Sequence, residues 1–186
     1  NVYEQNEIKP TQSTVLSITN SSIKPHQRLT TTNNKIRVAY IGPDEEYKGY
    51  FDFIEFAKTL DLELYEVATY GHFPNEECPS FIEQKGYFTK ETIDSVYENI
   101  DILIVPSKWK ETFGLITVEA LSYGVNVFVS ENVGSKDLLP ETHVFKNQND
   151  LVVKVIENDI ENTKLKTIDE HSKEVIQYYE RVINDS

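Results

Sequence analysis

The chain reads as an α/β domain, a parallel sheet with helices on both faces. Short apolar runs of strand length alternate with segments whose apolar residues recur at helical spacing. The run Ile102-Leu103-Ile104-Val105 is apolar on both sides of the pleat, as a strand covered on both faces must be. Gly-bearing turns follow the candidate strands, at Gly42-Pro43 and again around Gly114.

Each element follows in order. Residues 1–34 are rich in Asn, Thr, Ser and Gln, with one apolar patch, Val15-Leu16-Ser17-Ile18. They read as a linker or the remnant of a preceding domain. Order is expected from Lys35 to the end of the chain. Ile36-Arg37-Val38-Ala39-Tyr40-Ile41 is the first strand, and Tyr50 to Leu60 has the spacing of a helix. Leu62 to Ala68 alternates as a strand does, and Phe81 to Phe88 is a shorter candidate. Thr89 opens a helix to about Glu98, with Glu91 and Thr92 in its first turn. The apolar strand 102–105 leads into a helix expected over Glu111–Glu119. Then come a strand at Asn126–Ser130, a short helix at Gly134–Leu139 and a last strand at Thr142–Phe145. Helices at Asp150–Glu157 and Ile168–Asn184 close the chain. The pattern is that of a Rossmann-like fold, whose ligands sit at the carboxyl ends of the strands.

Composition narrows the function. The formal charge of −13 leaves no basic face for nucleic acid, and none for docking on an anionic membrane. No apolar run reaches the roughly 20 residues needed to span a bilayer. The chain starts at Asn1 and contains no Met, so a signal or a whole domain upstream is expected. Cys78 is alone, which excludes a disulfide framework and a Cys-based metal site and fits a reducing compartment. Its role is read as structural. His26, His72, His143 and His171 show no metal-ligand spacing; only His72, at the end of the second strand, is placed on the ligand side. Tyr178-Tyr179 on the last helix is read as a packing pair.

The chemistry concentrates in Lys110-Glu111-Thr112-Phe113-Gly114-Leu115-Ile116-Thr117-Val118-Glu119. A helix opening after a buried strand points unpaired N–H groups and the positive end of its dipole at the strand's carboxyl end, where an anion can sit. Were residues 112 to 119 helical, Glu111 and Glu119 would share one side, about 12 Å apart. That is about the reach from the sugar to the ribose of a nucleotide-sugar. Spacing alone favours a surface helix with two solvated acids.

On this placement the chain resembles the C-terminal, donor-binding half of GT-B glycosyltransferases, specifically glycosyltransferase family 4, over about residues 35–158. The block Ile104-Val105-Pro106-Ser107-Lys108-Trp109-Lys110-Glu111-Thr112-Phe113-Gly114-Leu115 looks like that family's strand, Pro-Ser and Glu-x-Phe-Gly run. Glu119-Ala120-Leu121-Ser122-Tyr123-Gly124-Val125 matches the helix end, Tyr47-Lys48-Gly49-Tyr50 the Lys-Gly after the first strand, and Gln84-Lys85-Gly86-Tyr87 the turn near the nucleobase.

The resemblance implies a retaining transfer of a sugar from a nucleotide-sugar donor to an acceptor hydroxyl, in glycan or polysaccharide biosynthesis. No metal or other cofactor is implied. Glu111 would hold donor-sugar hydroxyls, and Lys48 the leaving diphosphate. The turn Thr112, Phe113, Gly114 and Leu115 would hold the distal phosphate, and Glu119 the ribose. Gly42, Gly86 and Tyr87 complete the expected donor contacts. A carboxylate can accept from two adjacent hydroxyls, and a Lys beside the diphosphate offsets charge that grows in the transition state. The implied partners are the donor and an acceptor-binding domain preceding this chain, in a cytoplasmic protein or one held at the membrane through that domain.

Three departures stand out. Pro43 occupies the position where the family usually has an Arg, a loss of about 2–3 kcal/mol of diphosphate stabilisation unless Lys108 or Lys110 substitutes. Val125-Asn126-Val127 lacks the usual middle Pro, and Glu131-Asn132-Val133-Gly134-Ser135-Lys136-Asp137 lacks the usual Gly pair. With the acidic Asp44-Glu45-Glu46, they leave open a non-catalytic GT-B-like domain serving as a partner or regulatory subunit. A different Rossmann-like nucleotide or sugar-phosphate module is a third reading.

Overall fold

The computed structural model describes residues 35–157 and 168–184. The expected linker, with Val15-Leu16-Ser17-Ile18 and His26, lies outside the described residues. Six strands form one sheet: β1 (Ile36–Ile41), β2 (Tyr65–Tyr70), β3 (Ile82–Gln84), β4 (Ile102–Val105), β5 (Asn126–Ser130) and β6 (Val144–Phe145). All pairings are parallel, and the spatial order is β3-β2-β1-β4-β5-β6. Four helices belong to the same body: α1 (Tyr50–Ala57), α2 (Ile93–Glu98), α3 (Leu115–Ser122) and α4 (Gln148–Glu157). This is the Rossmann-like architecture expected, and its order reverses between β1 and β4.

The period of two along each strand sorts the core into two halves. Val38 and Tyr40 of β1, Ile102 and Ile104 of β4 and Phe128 of β5 share one cluster with Phe53 and Phe56 of α1 and Leu151 and Val155 of α4. Ala39, Leu103, Val127 and Val129 share the other with Val96 and Tyr97 of α2 and Ala120 and Leu121 of α3. Burial of each large apolar side chain contributes about 1.5–3 kcal/mol, so both faces of the sheet are needed.

At the amino-terminal end of the sheet, Arg37 and Asp101 tie β1 to the start of β4. Arg37 Nε and Nη2 donate to Asp101 Oδ2 and Oδ1 at 2.9 and 3.0 Å, and the Arg37 backbone N–H donates to Oδ2 at 2.7 Å. Both side chains are largely buried, and the hydrogen bonds to Asp101 hold the Arg37 guanidinium above its usual pKa.

Several boundaries differ from those read from the sequence. β2 starts at Tyr65, three residues later than alternation suggested, because Asp61 closes a turn: its carbonyl accepts from Leu64 and Tyr65 and its side chain from Glu63. Leu62 and Leu64 are left exposed. β3 spans only Ile82–Gln84. α2 begins at Ile93 because Thr89 to Thr92 form a hydrogen-bonded turn. α1 stops at Ala57, and α4 opens two residues early, at Gln148. Residues 134–138 and 141–143 are short 3-10 helices, and the last strand keeps only Val144 and Phe145.

The chain divides into two compact units, and the helix α5 (Ile168–Asn184) belongs to the second. It has the bounds expected, and Tyr178 and Tyr179 on it meet edge to face at 6.2 Å. No helix among the described residues is long and apolar enough to cross a membrane.

Candidate functional site

After β1 the chain passes to the face carrying α1, and after β4 to the face carrying α3. The two connections therefore part at the carboxyl ends of adjacent strands and leave a crevice. A cleft of about 270 Å³ lies there, lined by Tyr40, Gly42, Pro43, Lys48, Glu111, Gly114 and Leu115 among others.

One wall is a single 3-10 turn, Glu46–Lys48, closed by Gly49 at φ +79°. A Cβ on Gly49 would stand 1.9 Å from the Pro106 carbonyl oxygen, so this turn is pressed onto the end of β4. The N–H groups of Lys108 and Trp109 both donate to the Tyr47 carbonyl, at 3.0 and 3.2 Å. Lys48 is thereby aimed across the cleft, with Nζ 2.9 Å from Glu111 Oε1. The sequence assigned these two residues separate tasks; the structure makes them a pair.

The opposite wall corrects an expectation. α3 starts at Leu115, not at Glu111 or Thr112, so Glu111 and Glu119 do not share a helix face. The Glu111 backbone instead forms a parallel bridge with Val133: its N–H donates to the Asn132 carbonyl at 2.9 Å, and its carbonyl accepts from Gly134 at 3.1 Å. Gly114 then turns the chain at φ +89°, with a hypothetical Cβ only 2.7 Å from Val133 Cγ1. No side chain caps α3, so its first N–H groups open toward the cleft, next to the Lys48–Glu111 pair.

Glu119 lies one turn along α3 from Leu115, on the same face. Tyr97 donates its hydroxyl to Glu119 Oε2 at 3.2 Å. The Tyr97 ring stacks on Tyr123 at 4.8 Å and 21°, and the Tyr123 hydroxyl donates to Asp94. Burial, with Glu119 nearby, pushes the Tyr97 pKa well up; burial and Asp94 push that of Tyr123 up to about 12. Both phenols therefore stay protonated donors across the neutral range. The sequence reading missed Tyr97, which is 22 positions from its partner.

Five of the expected residues, Gly42, Lys48, Glu111, Gly114 and Leu115, meet around the cleft. Thr112 and Phe113 belong to the same turn, Phe113 giving its carbonyl to the Ser135 N–H at 2.5 Å. Gly86 and Tyr87 do not line the cleft: they follow β3, where the exposed Tyr87 ring meets Phe73 edge to face at 4.9 Å. His72 is buried against the Tyr50 ring, with Nδ1 2.8 Å from the Phe73 carbonyl, which makes it a packing residue. Lys108 is held by Asp52 and Glu46 at 3.3 and 3.5 Å, outside the cleft lining, so it does not stand in for the Arg that Pro43 replaces.

A family model described as glycosyl transferases group 1 matches residues 22–178. The chain belongs to that family. Its sheet is that of a GT-B glycosyltransferase, and solved structures share it at low identity. Sucrose-phosphate synthase from Thermosynechococcus elongatus superposes with a TM-score of 0.67 at 16% identity, over 100% of this chain and 56% of that one. Anabaena HepE, solved in complex with UDP and glucose, gives 0.55 at 15% identity, over 66% and 38%. Among curated proteins, an uncharacterized 41.2 kDa protein in the cps region of Klebsiella pneumoniae is 30% identical over 111 residues, 58% of this chain and 30% of the relative. This group 1 chain spans less than half the length of the curated relatives it matches.

Proposed function

We propose that this group 1 glycosyltransferase chain binds the nucleotide-sugar donor of a retaining family 4 enzyme, which passes the sugar to an acceptor hydroxyl in glycan or polysaccharide assembly. The Lys48–Glu111 pair across the uncapped start of α3 carries this reading. An anionic diphosphate would be met by the ammonium of Lys48 and by the N–H groups around Gly114 and Leu115. As the glycosidic bond breaks, charge builds on the diphosphate beside Lys48, where a fixed cation counts for more than in water. Glu111 would then take donor-sugar hydroxyls, and Glu119 those of the ribose. The cleft of about 270 Å³ accommodates the phosphate and sugar end only. The base would extend along the sheet's carboxyl edge toward Gly86 and Tyr87.

The cps-region relatives support polysaccharide assembly, and their greater length supports a further, acceptor-binding domain in the whole protein. In this reading the protein is cytoplasmic, with attachment to a membrane through that other domain as the second arrangement. The chain alone binds donor weakly and transfers nothing measurable. Calorimetric titration with UDP- and GDP-sugars tests the donor role. Glu119→Ala is expected to weaken binding by about tenfold or more, the loss of hydrogen bonds to a charged acceptor. Unchanged affinity in that variant would remove Glu119 from the ribose.

Pro43 favours a second reading, a GT-B-like partner or regulatory subunit without catalysis. It lines the cleft, with its carbonyl accepting from the Tyr40 hydroxyl at 2.7 Å, and Lys108 is engaged elsewhere. Pro43→Arg in the whole protein separates the two: an enzyme keeps or gains transfer activity, whereas a scaffold stays inactive.

A further inference from the structure

We infer that Tyr97 is a positioning residue that presents Glu119 to the ribose hydroxyls of the donor. This rests on the ribose role proposed for Glu119 and adds the residue that makes it selective.

A Glu side chain on a helix surface has three rotatable bonds and many orientations in water. Glu119 is only partly buried, so packing alone does not fix it. Tyr97 does, by donating its hydroxyl to Oε2 at 3.2 Å. Tyr97 is itself 1% exposed, which leaves its ring no alternative position. Its ring stacks on Tyr123, and the Tyr123 hydroxyl reaches back to Asp94, three residues before Tyr97 on α2. The arrangement runs from α2 to α3 and back, and it ends on one carboxylate oxygen.

A carboxylate offers about four acceptor positions, and Tyr97 uses one of them. Oε1 and the second lone pair of Oε2 remain for two neighbouring hydroxyls. Because Tyr97 holds Oε2, those positions are biased before a ligand arrives, and binding has less of the side chain to order. A site preset for two hydroxyls discriminates against a sugar that lacks one, since an acceptor is left unpaired. Tyr97 thus governs the preference for ribose over 2′-deoxyribose, and overall affinity follows from it.

The test is calorimetric titration of the whole protein with UDP, GDP and their 2′-deoxy counterparts, for wild type, Tyr97→Phe, Glu119→Ala and the double variant, each with a thermal melt. Tyr97→Phe keeps the ring and its stack on Tyr123 and removes only the donor. Wild type should prefer the ribonucleotide by about tenfold or more, and Tyr97→Phe should lower that ratio several-fold by weakening ribonucleotide binding more than that of the 2′-deoxynucleotide, which keeps only the 3′-hydroxyl. In the Glu119→Ala background, Tyr97→Phe should change neither affinity. A merely structural Tyr97 would weaken ribo- and 2′-deoxynucleotides alike, or lower only the melting temperature, and either result overturns the inference. So does a wild-type ratio retained by Tyr97→Phe. A wild type that binds neither base series, or binds without preference, overturns the ribose role of Glu119 itself. If Tyr97→Phe unfolds, Tyr123→Phe, which cuts the link to Asp94 one step further out, must lower the same ratio in part; an unchanged ratio there also overturns it.

Discussion

Glu111→Gln in the whole protein is expected to cut the transfer rate about 10²–10³-fold while leaving nucleotide affinity within a few-fold of wild type. The substitution keeps the shape of the side chain and removes the charge that Lys48 meets at 2.9 Å. Its effect on folding should be small. The Lys48 side chain is 35% exposed, and a pair this open to water contributes under about 1 kcal/mol. The loss therefore falls on transition-state stabilisation and not on the fold. Steady-state kinetics with the matching donor, read as separate kcat and KM, decide the matter. A Gln variant that turns over within about threefold of wild type would place the chemistry elsewhere.

The second large effect is expected at Gly49. Gly49→Ala puts a Cβ at φ +79°, a left-handed conformation costing about 1–2 kcal/mol for a residue with a side chain. It also drives that atom to 1.9 Å from the Pro106 carbonyl oxygen. That oxygen lies one residue past a buried strand, and the loop after it is bonded to Tyr47, so the backbone on both sides must shift. Overpacking of this kind adds about 1–3 kcal/mol, for a combined loss near 3 kcal/mol and a melting temperature lower by about 10 °C. Donor affinity should fall as well, because the turn that aims Lys48 is displaced. A melt within 2 °C of wild type would show that the contact yields more cheaply than the geometry indicates.

The contrast between what was legible in the sequence and what was not has a physical basis. β1, β4 and β5 stand where the apolar runs put them, since a strand buried on both faces leaves little choice of residues. The place of the cleft also followed, because a Gly-bearing turn after a buried strand has few places to go in a parallel sheet. The start of α3 did not follow. Glu111 is drawn out of the helix by hydrogen bonds to Asn132 and Gly134, 21 and 23 positions on, which local spacing does not encode. β2 was placed too early because Leu62 and Leu64 alternate well, yet Asp61 spends them in a turn. The Lys48–Glu111 and Tyr97–Glu119 contacts span 63 and 22 positions and come into view only when the sheet order brings their loops together.

The Arg37–Asp101 clasp sits at the end of the sheet away from the cleft, about 17 Å from it along β1. Substitutions that far apart, with no shared partner, add nearly independently in their effect on stability. The molecule is fastened at its base, away from the loops that line the cleft. Changes in the loops at the cleft can therefore be made on the same sheet without renegotiating what keeps it folded.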